Sequence, residues 1–350
     1  MFITALGTAV PPRSFSQRDC WNALQRIEHP ALTSRTRAVL NGILTHDNGI
    51  ERRSLALDSI EESFELDPDT LYRRFAREAP ALASTAARNA LERGGIDARS
   101  VDGVVISTCT GYLCPGLTSY VAETLGLRQD IAALDLVGQG CGAALPNLRT
   151  GEALLASGAD NVLCVCVEVC SAAMYIDTDL GVLVSACLFG DGAAAALVTR
   201  KAGGSRRRVE WKGSVSLLRP DQRDALRFEQ RGGMLRNILT LPVPQLAGKH
   251  ARDVLDRGLA AAGAARSQVS AWILHAGGRK VLEELRASMA LEDGDLEYSR
   301  EMLREFGNLS SPFVLFVLDC ALRNGAPPGR WWMSSFGAGF SCHGALLEVA

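Results

Sequence analysis

The sequence predicts an α/β protein with buried, mainly parallel sheets. Three observations carry this. Short apolar runs of strand length recur along the chain, longer segments with helical spacing separate them, and several junctions are Gly-led turns. Strands alternating with helices are the pattern of sheets covered by helices. At 350 residues the chain is long enough for one large or two ordinary domains.

The expected strands are Val101 to Thr108, Ile131 to Val137, Asn161 to Val169, Ala193 to Thr199, Ala271 to Leu274 and Trp331 to Ser335. Each is a short, nearly continuous apolar run, as in strands buried on both faces. Helical spacing marks Ala81 to Arg93, Leu145 to Ala156, His250 to Ala262, Lys280 to Met289 and Phe313 to Arg323. A polar, Gly-rich, basic stretch from Arg200 to Arg208 has the composition of an exposed connector. It suggests two halves, 1–204 and 205–350. VDGVVISTCTG before the divide resembles VSAWILHAGG after it. GCGAALPNL and GNLSSPFVLFVL are both Gly-led turns that open an apolar helix. A duplicated α/β unit explains the correspondence; two unrelated α/β segments remain the alternative.

Bulk properties narrow the function. With 47% hydrophobic residues a substantial core can be buried, and a net charge of −2 gives no reason to expect nucleic acid as a partner. The strongest apolar stretch, Val162 to Tyr175, is broken by Glu168 and is too short to span a bilayer. The opening segment, MFITALGTAVPP, has no basic leader or cleavage signature. Ten cysteines show no CxxC pair and suggest a reducing, cytoplasmic setting rather than a disulfide scaffold. Cysteine in an apolar run such as VLCVCVEVC serves as a small hydrophobe.

Three segments can carry chemistry. In Asp135 to Leu145 an apolar strand runs into Gly138 and Gly140, then Cys141 and Gly142, then a helix. Glycines let the backbone turn sharply and admit a substrate close to the main chain. A cysteine at a helix N-terminus is favoured as thiolate, and a strand–turn–helix displaying a nucleophile recurs in acyl-transfer enzymes. The plainer reading is a Gly-rich turn with an incidental cysteine. Of five histidines only His275 follows an apolar strand and precedes a double glycine. Strand ends are where α/β folds place reactive groups, although a lone histidine is commonly structural. Asn308 lies shortly before an apolar helix. It is either an N-cap or an amide that donates to a developing oxyanion.

In this order, the segments resemble the type III polyketide synthases, the chalcone and stilbene synthase family of the thiolase-fold superfamily. Matching pieces span nearly the whole chain: GTAVP at Gly7, STCTG at Ser107 with Pro115-Gly116, the Cys141 turn, LFGDGA at Leu188, Val243-Pro244, HAGG at His275, GNLSS at Gly307 and FGAG at Phe336. The resemblance implies a five-layered αβαβα fold of two similar halves, a homodimer, and acyl-CoA and malonyl-CoA as substrates. Neither a metal nor a redox cofactor is implied. By position, Cys141 takes the starter as a thioester and His275 holds its thiolate as an ion pair. His275 and Asn308 stabilise the enolate formed as malonyl-CoA loses carbon dioxide; repeated condensation and cyclisation follow. Phe189 matches a gatekeeper between the CoA tunnel and the cavity. Cys109, Cys114, Cys170, Ala173 and Ser310 fall at cavity-lining positions, and Gly277, Gly278 and Gly337 at the glycine-rich loops beside it.

Departures from the plant enzymes are Ala276 after the histidine, SFGAG at Ser335 to Gly339, and Asn237 near the second gatekeeper. Leu40, Ile43 and Asp47 stand where basic residues hold the CoA phosphates, leaving Arg52, Arg53, Arg279 and Lys280 as substitutes by composition or as plain surface charge. Rival readings are a ketoacyl synthase III, which condenses once onto a carrier protein, and a cysteine hydrolase built on Cys141 and His275.

Overall fold

The computed structural model describes residues 1–64, 67–177, 179–204 and 207–350. Residues 205 and 206 of the basic connector lie outside that set. The strands are β1 (Phe2–Ala9), β2 (Ser14–Ser16), β3 (Arg52–Ser54), β4 (Gly103–Thr108), β5 (Ala132–Val137), β6 (Asn161–Glu168), β7 (Gly192–Thr199), β8 (Val209–Leu218), β9 (Leu226–Arg231), β10 (Met234–Leu239), β11 (Val269–Leu274), β12 (Gly329–Gly337) and β13 (Ser341–Val349). The α-helices are α1 (Gln17–Gln25), α2 (Ser34–Thr45), α3 (Pro68–Gly94), α4 (Leu117–Leu125), α5 (Ala144–Ala156), α6 (Leu180–Leu188), α7 (Val243–Ala261), α8 (Arg279–Ser288), α9 (Glu297–Phe306) and α10 (Phe313–Arg323).

A nine-stranded sheet runs in the order β11-β12-β13-β8-β1-β7-β6-β4-β5. It divides at β1 and β8, which pair only through Phe2 with Glu210 and Ile3 with Val209. On one side the order outward from the seam is β1, β7, β6, β4; on the other it is β8, β13, β12, β11. In both, the first two pairings are antiparallel and the third is parallel. The same strand order and direction pattern thus occurs twice, with β5 as an added parallel edge strand.

The sheet is mixed, which corrects the expectation of mainly parallel pairing. The parallel pairs are β4 with β5, β4 with β6 and β11 with β12; the others are antiparallel. The expectation rested on strands that alternate with helices. It overlooked β1, β8 and β13, which are rich in small or polar residues yet close the sheet from the middle.

Side chains of β4, β6 and β7 alternate between two cores, as the two-residue period of a strand requires. Val104, Leu163 and Ala195 join α3 on one face, while Val105, Cys164 and Ala196 join α5 and α10 on the other. Helix α3 packs on β1, β6 and β7; α7 packs on β8, β12 and β13. Between the two half-sheets lie α5, touching β4, β6, β7, β12 and β13, and α10, touching β1, β7, β11 and β12. The result is five layers, α3, sheet, α5 with α10, sheet, α7. The central place of α10 explains its composition: every residue from Phe313 to Ala321 is buried, and all are apolar except Asp319, which pairs with Arg93 and Arg323. Both central helices lead from the segments singled out for chemistry.

Candidate active site

Cys141 follows β5 through a turn that only glycine makes readily, with φ of 83° at Gly138 and 58° at Gly140. It lies in a single 3₁₀ turn, Gly140–Gly142, that leads into α5. The β12–β13 connection presses on this turn. A Cβ on Gly142 would come within 3.2 Å of the Gly337 nitrogen, and one on Gly337 would reach the Gly142 nitrogen and lie 2.5 Å from the Gln139 carbonyl oxygen. The Ser335 hydroxyl donates to the Gly142 carbonyl at 3.1 Å. Both glycines are therefore needed for backbone-to-backbone contact.

Cys141 is buried in a small cluster with Leu55, Leu57, Cys170, Met174 and Phe189. The Ser310 hydroxyl donates to its Sγ at 3.2 Å. Ser310 holds φ of 59°, and that conformation is fixed from Asn308, whose Oδ1 accepts the Ser310 N–H at 2.8 Å. The Asn308 Nδ2 donates to the Gly277 carbonyl at 2.9 Å. Its backbone pairs with the Phe189 segment: Asn308 N–H donates to the Leu188 carbonyl at 2.9 Å and Gly190 N–H to the Asn308 carbonyl at 3.0 Å. This removes the N-cap reading, because α10 begins at Phe313 with Pro312 before it.

His275 directly follows β11, and its N–H donates to the Ser334 carbonyl at 3.0 Å. Its ring lies edge-on to Phe313 and Phe336, with centroids 5.3 and 5.1 Å away. Both ring nitrogens are buried without a hydrogen-bond partner. Among the described residues neither nitrogen is paired, and a buried polar group is costly to leave so. Gly277, at φ of 63°, leaves room for Phe336: a Cβ there would lie 2.9 Å from Phe336 Cζ.

Glu168 was singled out in the sequence only as the break in an apolar run, and it is the residue most clearly missed. It is fully buried at the end of β6. Its carboxylate accepts from Cys109 N–H at 3.0 Å, Thr110 Oγ1 at 2.9 Å, Ser311 Oγ at 2.6 Å and Cys109 Sγ at 3.2 Å, with Ser310 Oγ at 3.5 Å. The available signal was its charge inside a strand that is otherwise apolar. Cys109 also lies 3.5 Å from Ser310 Oγ. Cys109, Cys141, Cys170, Phe189, Gly277, Asn308, Ser310 and Gly337 are thus brought together. Ala173 is half-buried at the end of the 3₁₀ turn that starts at Cys170, and Gly278 begins α8 with Leu188 as its near neighbour. Cys114 is exposed on the loop between β4 and α4. Arg53 departs from expectation, being 2% exposed rather than surface charge.

Burial dominates the electrostatics. It pushes the Cys141 thiol up to about 12, against the opposing Ser310 hydrogen bond, and the His275 imidazole down to about 3. Burial also raises Glu168, against the hydrogen bonds it accepts. Desolvation disfavours the charged form of each group, so burial works against the helix terminus that favours a thiolate at Cys141.

A FAE1/type III polyketide synthase-like family model matches residues 43–219, and a chalcone and stilbene synthase C-terminal domain model matches residues 218–346. The chain belongs to the type III polyketide synthases, acyltransferases that condense malonyl-CoA. It is 30% identical to a 3,5-dihydroxyphenylacetyl-CoA synthase of Streptomyces toyocaensis, covering 99% of this chain and 89% of that protein. It is 31% identical to a 1,3,6,8-tetrahydroxynaphthalene synthase of Streptomyces peucetius subsp. caesius, over 99% of this chain and 92% of the relative. Among solved structures, PKS-I of the brown alga Ectocarpus siliculosus superimposes with a TM-score of 0.89 at 24% identity, covering 99% of this chain and 97% of that one. The tetrahydroxynaphthalene synthase of Streptomyces coelicolor A3(2) also gives 0.89, at 23% identity and 99% coverage of both chains. The thiolase-like fold is shared with both.

Proposed function

We propose that this chain loads an acyl-CoA starter on Cys141 and extends it with malonyl-CoA, His275 and Asn308 acting as its partners. The observation that carries this is the chain of contacts from Cys141 Sγ through Ser310 to Asn308 and on to the loop after His275. In loading, neutral His275 takes the thiol proton as Cys141 attacks the thioester, and returns it to the departing CoA sulfur. In extension, malonyl-CoA loses carbon dioxide and leaves an enolate. Asn308 Nδ2 carries two hydrogens and Gly277 takes one, so the second can donate to the enolate oxygen beside an N–H of His275. The enolate carbon attacks the Cys141 thioester, freeing the cysteine and leaving the lengthened chain on CoA for reloading. Each preorganised donor is worth about 3 kcal/mol. Decarboxylation itself supplies the carbanion, so these steps call on neither a metal nor a redox cofactor.

Phe189, Cys109, Cys170, Ala173 and Ser310 would shape the cavity, and Gly277, Gly278 and Gly337 would admit the substrate. Polyhydroxylated aromatics, of the kind for which the relatives are named, fall within this reading. A homodimer is part of it. Edge strand β5 exposes Leu134 and Val137, and Tyr112, on the Cys109 to Pro115 loop expected at the interface, is 68% exposed. An open apolar edge is a template for pairing with another chain, and a second copy seated there would bring Cys114 toward its partner's cavity. The division at 204/205 and a cytoplasmic location, suited to ten free cysteines, complete the proposal. The test is incubation with labelled malonyl-CoA and a panel of acyl-CoAs, reading carbon dioxide and product mass. Repeated two-carbon extension without a carrier protein supports it; a single condensation, or hydrolysis alone, overturns it.

A further inference from the structure

Arg53 is a buried cation placed far from solvent and close to the proposed site. Its Nε donates to Gln17 Oε1 at 3.2 Å and its Nη2 to Cys20 Sγ at 3.2 Å. Its Nη1 donates to two carbonyls, Ala186 at 2.6 Å and Phe189 at 2.8 Å. These acceptors are all neutral. The two carbonyls belong to the end of α6 and the residue just after it, where the negative end of the helix dipole faces a cation favourably. A guanidinium presents its donors in a fixed fork, so one side chain holds the helix end, the Phe189 backbone and α1 in a single geometry.

What Arg53 holds is the strand on which Asn308 rests. Phe189 and Asn308 form an isolated parallel bridge, closed by the hydrogen bonds to Leu188 and from Gly190. The stem of Arg53 also fills the space beside Gly307, where a Cβ would lie 2.8 Å from Arg53 Cγ and 2.8 Å from the Leu188 carbonyl oxygen. Gly307, just before Asn308, is therefore seated against Arg53, and Asn308 itself pairs with Leu188 and Gly190, the two neighbours of the Phe189 that Arg53 bonds.

We infer that Arg53 is a positioning residue for the enolate-forming step: it fixes Phe189 and Asn308 as one unit, and through them the aim of the Asn308 amide. This rests on the function proposed above. Arg53 touches no substrate in this account. Its removal should therefore lower turnover while leaving malonyl-CoA binding nearly unchanged.

The experiment compares malonyl-CoA decarboxylation by Arg53→Met, Arg53→Lys, Gln17→Ala and Asn308→Ala, each normalised to titratable Cys141. Displacing a reacting group by about 1 Å costs on the order of a hundredfold. Arg53→Met is therefore expected to lose at least tenfold in kcat with KM within twofold of wild type. Arg53→Lys keeps the charge and one or two donors, and should recover most of that loss. Gln17→Ala leaves the guanidinium in place but frees its Nε side, and should lose a few-fold in kcat alone. It also keeps the test alive if Arg53→Met does not fold. A purely structural arginine predicts lower melting temperatures with unchanged kcat per titrated site, and that pattern in Arg53→Met, or in Gln17→Ala when Arg53→Met is insoluble, overturns the inference. Wild-type decarboxylation by Asn308→Ala would instead overturn the proposed function, so the two failures are distinct.

Discussion

Asn308→Ala tests the site most directly, because the structure ties this side chain to stability and to chemistry by different atoms. Truncation removes the acceptor of the Ser310 N–H and the donor to the Gly277 carbonyl. Each backbone group is then left unpaired in a buried setting, at about 1–3 kcal/mol apiece, or about 2–6 kcal/mol together. A lost helix cap would cost only about 1 kcal/mol. The substitution also deletes the second Nδ2 hydrogen, which no protein group is assigned to receive. Removing one oxyanion donor costs about 10²–10³ in kcat. The assay is carbon dioxide release from malonyl-CoA per folded molecule at 25 °C, beside urea unfolding of the same samples. The expected result is a large loss in both. A variant with several kcal/mol less stability but wild-type carbon dioxide release per folded molecule would refute the catalytic assignment and leave Asn308 a purely structural residue.

Cys141→Ala should abolish condensation and keep measurable decarboxylation, since both proposed enolate donors remain; loss of carbon dioxide release in a folded variant counts against that division. Acylation mapped by mass spectrometry should fall on Cys141 alone among the ten cysteines. Burial raises Cys166, Cys187 and Cys342 to about 12, as it does Cys141, so selectivity must come from the neighbouring base, and stable loading elsewhere would contradict this. Gly337→Ala drives a methyl group into the Gly142 amide and should slow acyl loading by about a hundredfold, the scale of a 1 Å misplacement; an unaltered loading rate would show that the Cys141 turn yields freely. Stability should also fall with acid. His275 is depressed to about 3 from a normal 6.5, so below pH 6.5 the unfolded chain binds a proton that the native state refuses. Its contribution is full above pH 6.5 and is lost as pH falls toward 3, at about 1.4 kcal/mol per pH unit. Urea unfolding of wild type and His275→Gln between pH 7.5 and 4.5 should converge on acidification; parallel curves would show His275 to be protonated in the native state.

Much of this molecule was legible before its structure. Strands β4, β6, β7, β11 and β12 are near-continuous apolar runs, and α5, α8 and α10 carry unbroken helical spacing, so local pattern and final burial agree. Cys141 and His275 were visible because each sits between a strand and glycines. Three kinds of feature escaped. The start of α3 was placed after Pro80, but the helix runs through it from Pro68; packing on three strands outweighs a local breaker. Strands β1, β8 and β13 were missed because small residues, charges and glycines dilute their period, and their place in the sheet is fixed by long-range pairing. Glu168 and Arg53 were misread because a charged letter implies solvent by default. Both are satisfied by hydroxyls, amides and carbonyls drawn from distant parts of the chain, and no local window contains those partners.

The thin seam between β1 and β8 has a consequence for cooperativity. Cys141, the proposed nucleophile, belongs with the half of the sheet that ends at β1, and His275 and Asn308 with the half that starts at β8. Those half-sheets meet at Phe2 with Glu210 and Ile3 with Val209, with Trp211 N–H donating to the Met1 carbonyl at 3.0 Å beside them, and α5 and α10 pack between them. Catalytic competence then reports on the registry of the two half-sheets as much as on local geometry. Substitutions along α10 beyond Phe313, which packs on His275, should behave kinetically like mutations at the proposed site, and amide exchange at the seam should track the fraction of molecules able to turn over.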